Sequence, residues 1–219
     1  MKLVQCWDDG VTTDVRLVSL LRRHGARATF NLNAGLHKQK RQLGWHHGDT
    51  EVWRLARGEL REVYDGFSIA NHTLTHPHID QLPIDAARRE IGEGRTCLQT
   101  LFDQPVSGFV YPFGTFDEVV AQAVRDAGHV YARTTRAADL GVSTIDPMAA
   151  AASCHFLAPD FWQRLDRARP SGVFGFWGHS YELVDEAMWS AFEASLARLC
   201  AEPGVQWCDP TDLFDGDSP

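Results

Sequence analysis

The chain has 219 residues, 44% of them hydrophobic and 23% charged, and a formal net charge of −8. That composition suits one compact domain, 1–219, with a full core, and its acidic balance argues against nucleic acid, whose binding rests on Lys and Arg contacts to phosphate. No stretch reaches the roughly eighteen uninterrupted apolar residues of a membrane span, and no basic, apolar leader precedes the first apolar run, so the expectation is a cytoplasmic protein without a membrane span.

The chain alternates short β-rich runs with amphipathic helical runs. A strand is predicted at about 3–8 and a helix at 14–24, with Val15, Leu17, Val18 and Leu21 on one face and Gly25 as its stop. A second strand covers 27–32. Residues 34–50 are polar and glycine-containing and read as a long loop, which in a compact domain is more often functional than idle. Helix is expected at 51–64, strand at 66–71, a long helix at 84–102 after Pro83, and strand at 106–111. Asp117 caps a helix that carries Val119, Val120, Ala123, Val124 and Ala127 and stops at Gly128. Strands follow at 129–134, near 151–156, at 172–177 and, shortly, at 205–208. Helices are expected at 161–168 and at 186–200, the latter with Met188, Phe192, Leu196 and Leu199 in helical period.

Strand–helix alternation of this length implies a parallel sheet. Seven or eight units favour an α/β fold closed, or nearly closed, into a small TIM-like barrel. The five cysteines are odd in number and widely spaced, which favours buried, reduced thiols over a disulfide framework.

Four clusters fall where predicted strands end. A parallel barrel collects those ends on one face, where its active site lies. Asp8-Asp9-Gly10 places two adjacent carboxylates after a buried strand, a repulsion that a cation relieves if one Asp is a ligand and the other stays free as a base. Neighbouring strand residues point to opposite faces, so both serve one site only if the chain bends there, and Gly10 permits the bend. His72 and His76 are four residues apart, a common chelating spacing on a helical turn. Asp9, His72 and His76 make a three-ligand site with room for water and substrate, the pattern of a catalytic metal. Neutral imidazole suits zinc and similar borderline metals. Tyr111-Pro112-Phe113-Gly114 reads either as a hydrophobic strand stop with a turn or as a rigid corner that offers a backbone N–H to an oxyanion. His179, in Trp177-Gly178-His179, is a candidate proton donor.

Together these residues match a family pattern. Cys6-Trp7-Asp8-Asp9-Gly10 resembles T-F-D-D-G, 71–76 (NHTLTH) resembles H-[ST]-x-x-[HS], 110–114 (VYPFG) sits where R-x-P-Y-G is expected, and 176–179 sits where L-x-x-H is expected. The chain thus resembles the polysaccharide deacetylases, the carbohydrate esterase family with the NodB homology domain. The resemblance implies a distorted (β/α) barrel of seven strands and metal-dependent removal of N-acetyl groups from amino sugars. It implies Asp8 as base, Asp9, His72 and His76 as metal ligands, His179 as acid and the Phe113 N–H as an oxyanion donor. Two elements of the family pattern are missing. Val110 stands where the family has the Arg that braces the catalytic Asp, and the Asp-containing element that orients the acid His has no clear copy.

The expected function is therefore hydrolysis of an N-acetyl group on an amino sugar, oligosaccharide or polysaccharide by a metal-activated water. The cofactor is a divalent ion, zinc first and cobalt or nickel as alternatives, and the partner is a carbohydrate or small N-acetylated substrate. Rival readings are another small amide, formyl or ester substrate at the same site, and a non-catalytic sugar- or metal-binding barrel. Arg133 on the fifth strand is expected to replace the missing Arg, the alternative being an outward-facing residue. Asp146, and after it Glu182, are the candidates to orient His179. The 34–50 loop, with His37, Trp45, His46 and His47, and the aromatics Tyr111, Phe113, Trp177 and Tyr181 are expected to border the site.

Overall fold

The computed structural model describes residues 1–137 and 146–214. Its strands are β1 (Lys2–Asp8), β2 (Thr29–Leu32), β3 (Gln42–His47), β4 (Thr50–Arg54), β5 (Ser68–Asn71), β6 (Gly108–Val110), β7 (Tyr131–Ala137), β8 (Ala150–Ala152), β9 (Cys154–His155), β10 (Val173–Gly178) and β11 (Gln206–Trp207). The helices are α1 (Asp14–His24), α2 (Leu60–Val63), α3 (Ile84–Phe102), α4 (Glu118–Asp126), α5 (Phe161–Ala168) and α6 (Glu186–Ala201).

The main sheet runs β8-β7-β6-β5-β2-β1-β10-β9, with β11 paired to β1, and all of its pairings are parallel. Parallel strands are covered on both faces, and β1 accordingly buries every residue after Lys2. The two ends of the path, β8 and β9, are consecutive in the chain and separated only by Ser153. Ser153 is sewn to β10 from both sides: its N–H donates to the Gly175 carbonyl at 2.7 Å and its Oγ accepts from the Gly175 N–H at 3.2 Å. The chain itself thus carries the sheet across its gap and nearly closes the barrel. The sequence leads one to expect seven strands, with a single one near 151–156. The path has eight among the described residues because that strand breaks at Ser153.

The long helices follow their patterns. In α3, Ala87, Ile91, Gly94, Leu98 and Phe102 are buried. Asp117 caps α4 by accepting from the Val120 N–H at 2.8 Å, and Gly25 ends α1 in the left-handed region at φ 65°. The α1 face differs from expectation: Leu17, Val18, Leu20 and Leu21 are buried, but Val15 is 44% exposed. The inward stripe starts one residue earlier, at the fully buried Asp14, whose carboxylate accepts from the Val11 N–H, the Tyr64 hydroxyl and the Ser180 hydroxyl. Helical period placed a carboxylate where hydrophobicity favoured the valine beside it. Val119 is likewise exposed on α4.

The largest departure is at 34–64. The expected loop and helix contain an antiparallel hairpin, β3 with β4, turning through Gly48 at φ 57° and Asp49. Gly-Asp between alternating residues is a hairpin turn, and β4 alternates accordingly: Val52 and Arg54 are buried while Glu51 and Trp53 are exposed. True helix is confined to α2. Cys6, Cys154 and Cys208 are buried free thiols, but Cys97 and Cys200 are only half-buried. No helix among the described residues is long and apolar enough to cross a membrane.

The shifted stripe gives a direct test. Leu17→Ala should cost about 2–5 kcal/mol by urea denaturation, whereas Val15→Ala should stay within about 0.5 kcal/mol.

Candidate active site

Asp8 ends β1, and the chain turns immediately after it. Asp9 itself lies in the left-handed region at φ 85°, followed by Gly10 at φ 70°, so two successive residues make the bend that lets both carboxylates reach one site. A Cβ on Gly10 would meet the His37 ring at 2.6 Å. His37 is therefore packed behind the bend, with Nδ1 2.9 Å from the Leu55 carbonyl, and does not line the cleft as expected.

The Asp8 carboxylate is buried and held at both oxygens. Asn31 Nδ2 donates to Oδ1 at 2.6 Å, and Arg133 Nη2 donates to Oδ2 at 2.5 Å. The expected Arg133 pairing is thus present, and the sheet register gives its reason. Val110 and Arg133 are direct neighbours across β6 and β7, so the guanidinium is carried by the strand position beside the one that lacks it. Trp177 packs over the Arg133 guanidinium at 4.8 Å. Burial alone would raise the Asp8 pKa, but Arg133, then His72 and His179, and the Asn31 hydrogen bond hold it well below the usual carboxylate range.

His72 and His76 are not on a helical turn. Thr73 and His76 both take positive φ, at 67° and 60°. This tight loop is tied to α3, where Glu90 accepts from the Thr75 N–H and hydroxyl, each at 2.7 Å. The loop nonetheless brings the rings to 4.7 Å. His72 Nδ1 lies 2.8 Å from the Val110 carbonyl, an acceptor that keeps the proton on Nδ1 and frees Nε2 for a ligand. Burial lowers the pKa of His72, and burial together with His72 takes His76 down to about 4. Both imidazoles are therefore neutral near pH 7, the state a metal requires. Donor atoms of Asp9, His72 and His76 lie within 4.8 Å of one another. The donor set, its protonation and its spacing fit a divalent ion.

Opposite this triad, His179 Nε2 lies 4.0 Å from Asp8 Oδ2 and 3.9 Å from Asp9 Oδ2. The carboxylate at its other nitrogen is Glu182, with Oε2 3.2 Å from Nδ1, at an angle outside that of a formed hydrogen bond. Asp146, the first candidate for that place, is elsewhere: it caps Met148 and pairs with Arg125. A partner three residues along the same turn reaches His179 without crossing the barrel. Burial opposes protonation of His179, but Glu182, Asp8 and Asp9 outweigh it and raise its pKa. Glu182 is pushed up by burial and pulled further down by His155 and His179, to about 2.

The cleft over these groups holds about 370 Å³ and is walled by Trp45, Arg54, Tyr111, Phe113, Thr135, Trp177 and Tyr181. Trp45 meets Tyr181 edge-on at 5.2 Å, so the β3–β4 hairpin forms one wall. His47 lies against Tyr181, but both it and His46 are exposed and outside the lining, where the sequence led one to expect them at the border. Phe113 adopts φ 59° and stacks on His78 at 3.8 Å. Three site residues escaped sequence reasoning. Asn31 had a signal, a polar residue late in an apolar strand. Arg54, which donates to the Asp9 carbonyl at 2.7 Å, was hidden in the misread helix, and Thr135 carried no signal.

Residues 2–132 match the family model described as polysaccharide deacetylase. The chain belongs to the polysaccharide deacetylase family. An uncharacterized Streptomyces coelicolor protein is 33% identical over 122 residues, which is 56% of this chain; the chain spans only 43% of that relative. The fold is similar to a family 4 carbohydrate esterase from Streptomyces lividans, solved in complex with acetate, at TM-score 0.60 and 18% identity over 93% of this chain and 90% of that one. A family 4 acetyl xylan esterase from Clostridium thermocellum, solved with a cobalt ion, gives TM-score 0.59 at 15% identity over 98% and 90%. At such identities the likeness concerns the barrel fold of this deacetylase-family chain.

Removing one partner of a buried ion pair costs about 3–5 kcal/mol, so Arg133→Met should lose about that much at pH 7. Because the Asp8 pKa is depressed in the folded state, the pair's contribution is fully present above the ordinary carboxylate pKa and is lost as pH falls below it toward the lower folded value. Urea unfolding of metal-free protein should therefore show the gap between wild type and variant shrinking as the pH is lowered from about 5 to about 3.

Proposed function

We propose that residues 1–219 act as one catalytic domain, a metal-dependent hydrolase that removes an N-acetyl group from an amino sugar or its oligomer. One observation carries this reading: a carboxylate held ionised by Arg133 and Asn31, outside the Asp9, His72, His76 donor set and beside it. A pure binding site has no use for that second, braced carboxylate.

In this assignment Asp9, His72 and His76 hold the ion, with zinc the first choice for two imidazoles and a carboxylate. Such an ion supplies Lewis acidity, polarising a carbonyl and acidifying a water. Asp8 takes the proton of the attacking water. Its low pKa makes it a modest base, and its strength lies in being charged and fixed where it is needed. The Phe113 N–H, set by the left-handed backbone there, donates to the developing oxyanion. His179 gives its proton to the departing amine, and its raised pKa keeps that proton in place near neutrality. Trp45, Trp177 and Tyr181 line the cleft and supply aromatic surface for a sugar. The acetate and cobalt of the two solved relatives agree with this chemistry.

The test is acetate release from N-acetylated sugars, from monomer to polymer, with and without a chelator, followed by restoration with zinc, cobalt or nickel. Release that ignores the chelator, or none on any substrate with metal restored, would contradict the proposal. His179→Ala should retain the metal and lower the rate on an amide by about a hundredfold or more. It should lose far less on an ester with a good leaving group, which departs without a proton. In the parent enzyme the alkaline limb of the rate profile should lie above the ordinary histidine pKa, because losing the His179 proton removes the acid.

A further inference from the structure

Glu182 Oε2 lies within hydrogen-bond distance of three nitrogens. Besides His179 Nδ1 at 3.2 Å, it accepts from the His179 N–H at 2.9 Å and faces His155 Nε2 at 3.0 Å. His155 ends β9, beside Trp177 in the register of β9 with β10, on a different strand from His179. The tautomer of its neutral ring is fixed by its second nitrogen: the Leu157 N–H donates to Nδ1 at 3.3 Å. Nδ1 is thus an acceptor, and the ring proton is on Nε2, pointing at Glu182. The Trp177 ring stands edge-on to His155 at 4.8 Å and 81°. Gly178 keeps the approach open, since a Cβ there would meet Phe156 at 2.1 Å and His155 Nε2 at 3.2 Å.

From this geometry we infer that His155 is a positioning residue for the proton donor: its Nε2–H pins the Glu182 carboxylate so that Oε2 is presented to His179 Nδ1. The terminal torsion of a glutamate is broad. The His179 N–H restrains Glu182 from its own turn only, and either carboxylate oxygen satisfies that bond. The bond from β9 adds a second, fixed direction and selects one oxygen and one ring orientation. With the Glu182 carboxylate 3.2 Å from Nδ1, a small turn of the ring completes that bond and favours the Nδ1–H tautomer of neutral His179, so that Nε2, the nitrogen facing Asp8 and Asp9, carries the transferable proton. The low Glu182 pKa, to which His155 contributes, agrees with a carboxylate kept as an acceptor. The inference rests on His179 being the acid of the proposed reaction.

The test compares His155→Phe, which keeps a ring but removes the donor, with His155→Gln, whose amide N–H can replace it. His155→Phe should lower kcat on an N-acetyl amide roughly ten- to hundredfold, by analogy with the loss when an outer hydrogen-bond partner of a metal-ligating histidine is removed. KM, metal content and the rate on an activated ester should hardly change, and His155→Gln should recover most of the loss. In a Glu182→Gln background, His155→Phe should add little, because its effect passes through Glu182. Nitrogen-15 NMR of labelled imidazoles at alkaline pH reads the placement without any substrate. His155 should be the Nε2–H tautomer, and His179 should change from Nδ1–H to a mixture in His155→Phe. An unchanged His179 tautomer, or equal losses on amide and ester in His155→Phe, overturns the role of His155. Equal losses in His179→Ala overturn instead the assignment of the acid, and the NMR result still decides whether His155 orients that ring.

Discussion

Asp8 and Arg133 lie opposite each other inside the barrel, each side chain no more than 5% exposed, where an isolated ion costs several kcal/mol to bury. Neither residue is tolerable there alone. Asn31 completes the acceptor needs of Asp8, and Trp177 covers the guanidinium, so the pair is enclosed by groups from β1, β2, β7 and β10. Such pairs add little net stability but fix geometry strongly, because any displacement strands a charge. Here the fixed geometry is the separation of two adjacent carboxylates: Asp8 faces Arg133, and the turn at Asp9 and Gly10 directs Asp9 to the two imidazoles. The proposed division between base and ligand follows from that separation.

The barrel makes this arrangement possible through register. Parallel pairing puts the ends of β1, β2, β5, β6, β9 and β10 on one rim, so residues from 8 to 182 converge on one cleft. The pairing of Val110 with Arg133 lets a guanidinium lost from one strand be supplied by the next. The carboxylate beside His179 is likewise local, since Glu182 sits on the turn that follows it. The same rim carries Asp14, three-fold hydrogen-bonded at the start of α1 and pushed by burial up to about 7 against the bonds from Ser180, Tyr64 and Val11. Its bond to Ser180 ties α1 to the residue after His179.

Much of this was legible in the sequence where one physical signal dominated. Apolar runs gave the parallel strands, and capped periodic stretches gave α3, α4 and α6 nearly to the residue. The four strand-end motifs gave the cleft, because parallel topology makes distant strand ends neighbours. The failures have physical causes as well. The β3–β4 hairpin is short, exposed and rich in His and Trp, so its alternation was weak and its Gly-Asp turn read as loop. Asp14 occupies an inward position that only its three donors justify, and two of them, Tyr64 and Ser180, lie far along the chain. Asp146 was favoured by chain order, whereas a contact three residues along one turn needs no order at all. The break at Ser153 has no local sequence mark, being set by its bonds to Gly175.

The central claim is that two neighbouring carboxylates do different work, and it is tested by measuring metal content and acetate release side by side in Asp8→Asn and Asp9→Asn. The account predicts that Asp8→Asn binds one equivalent of zinc yet releases no acetate, while Asp9→Asn loses the metal and the activity together. If Asp8→Asn loses the metal as fully as Asp9→Asn does, or turns over like the parent enzyme, the separation of roles drawn from the Arg133 pair is wrong.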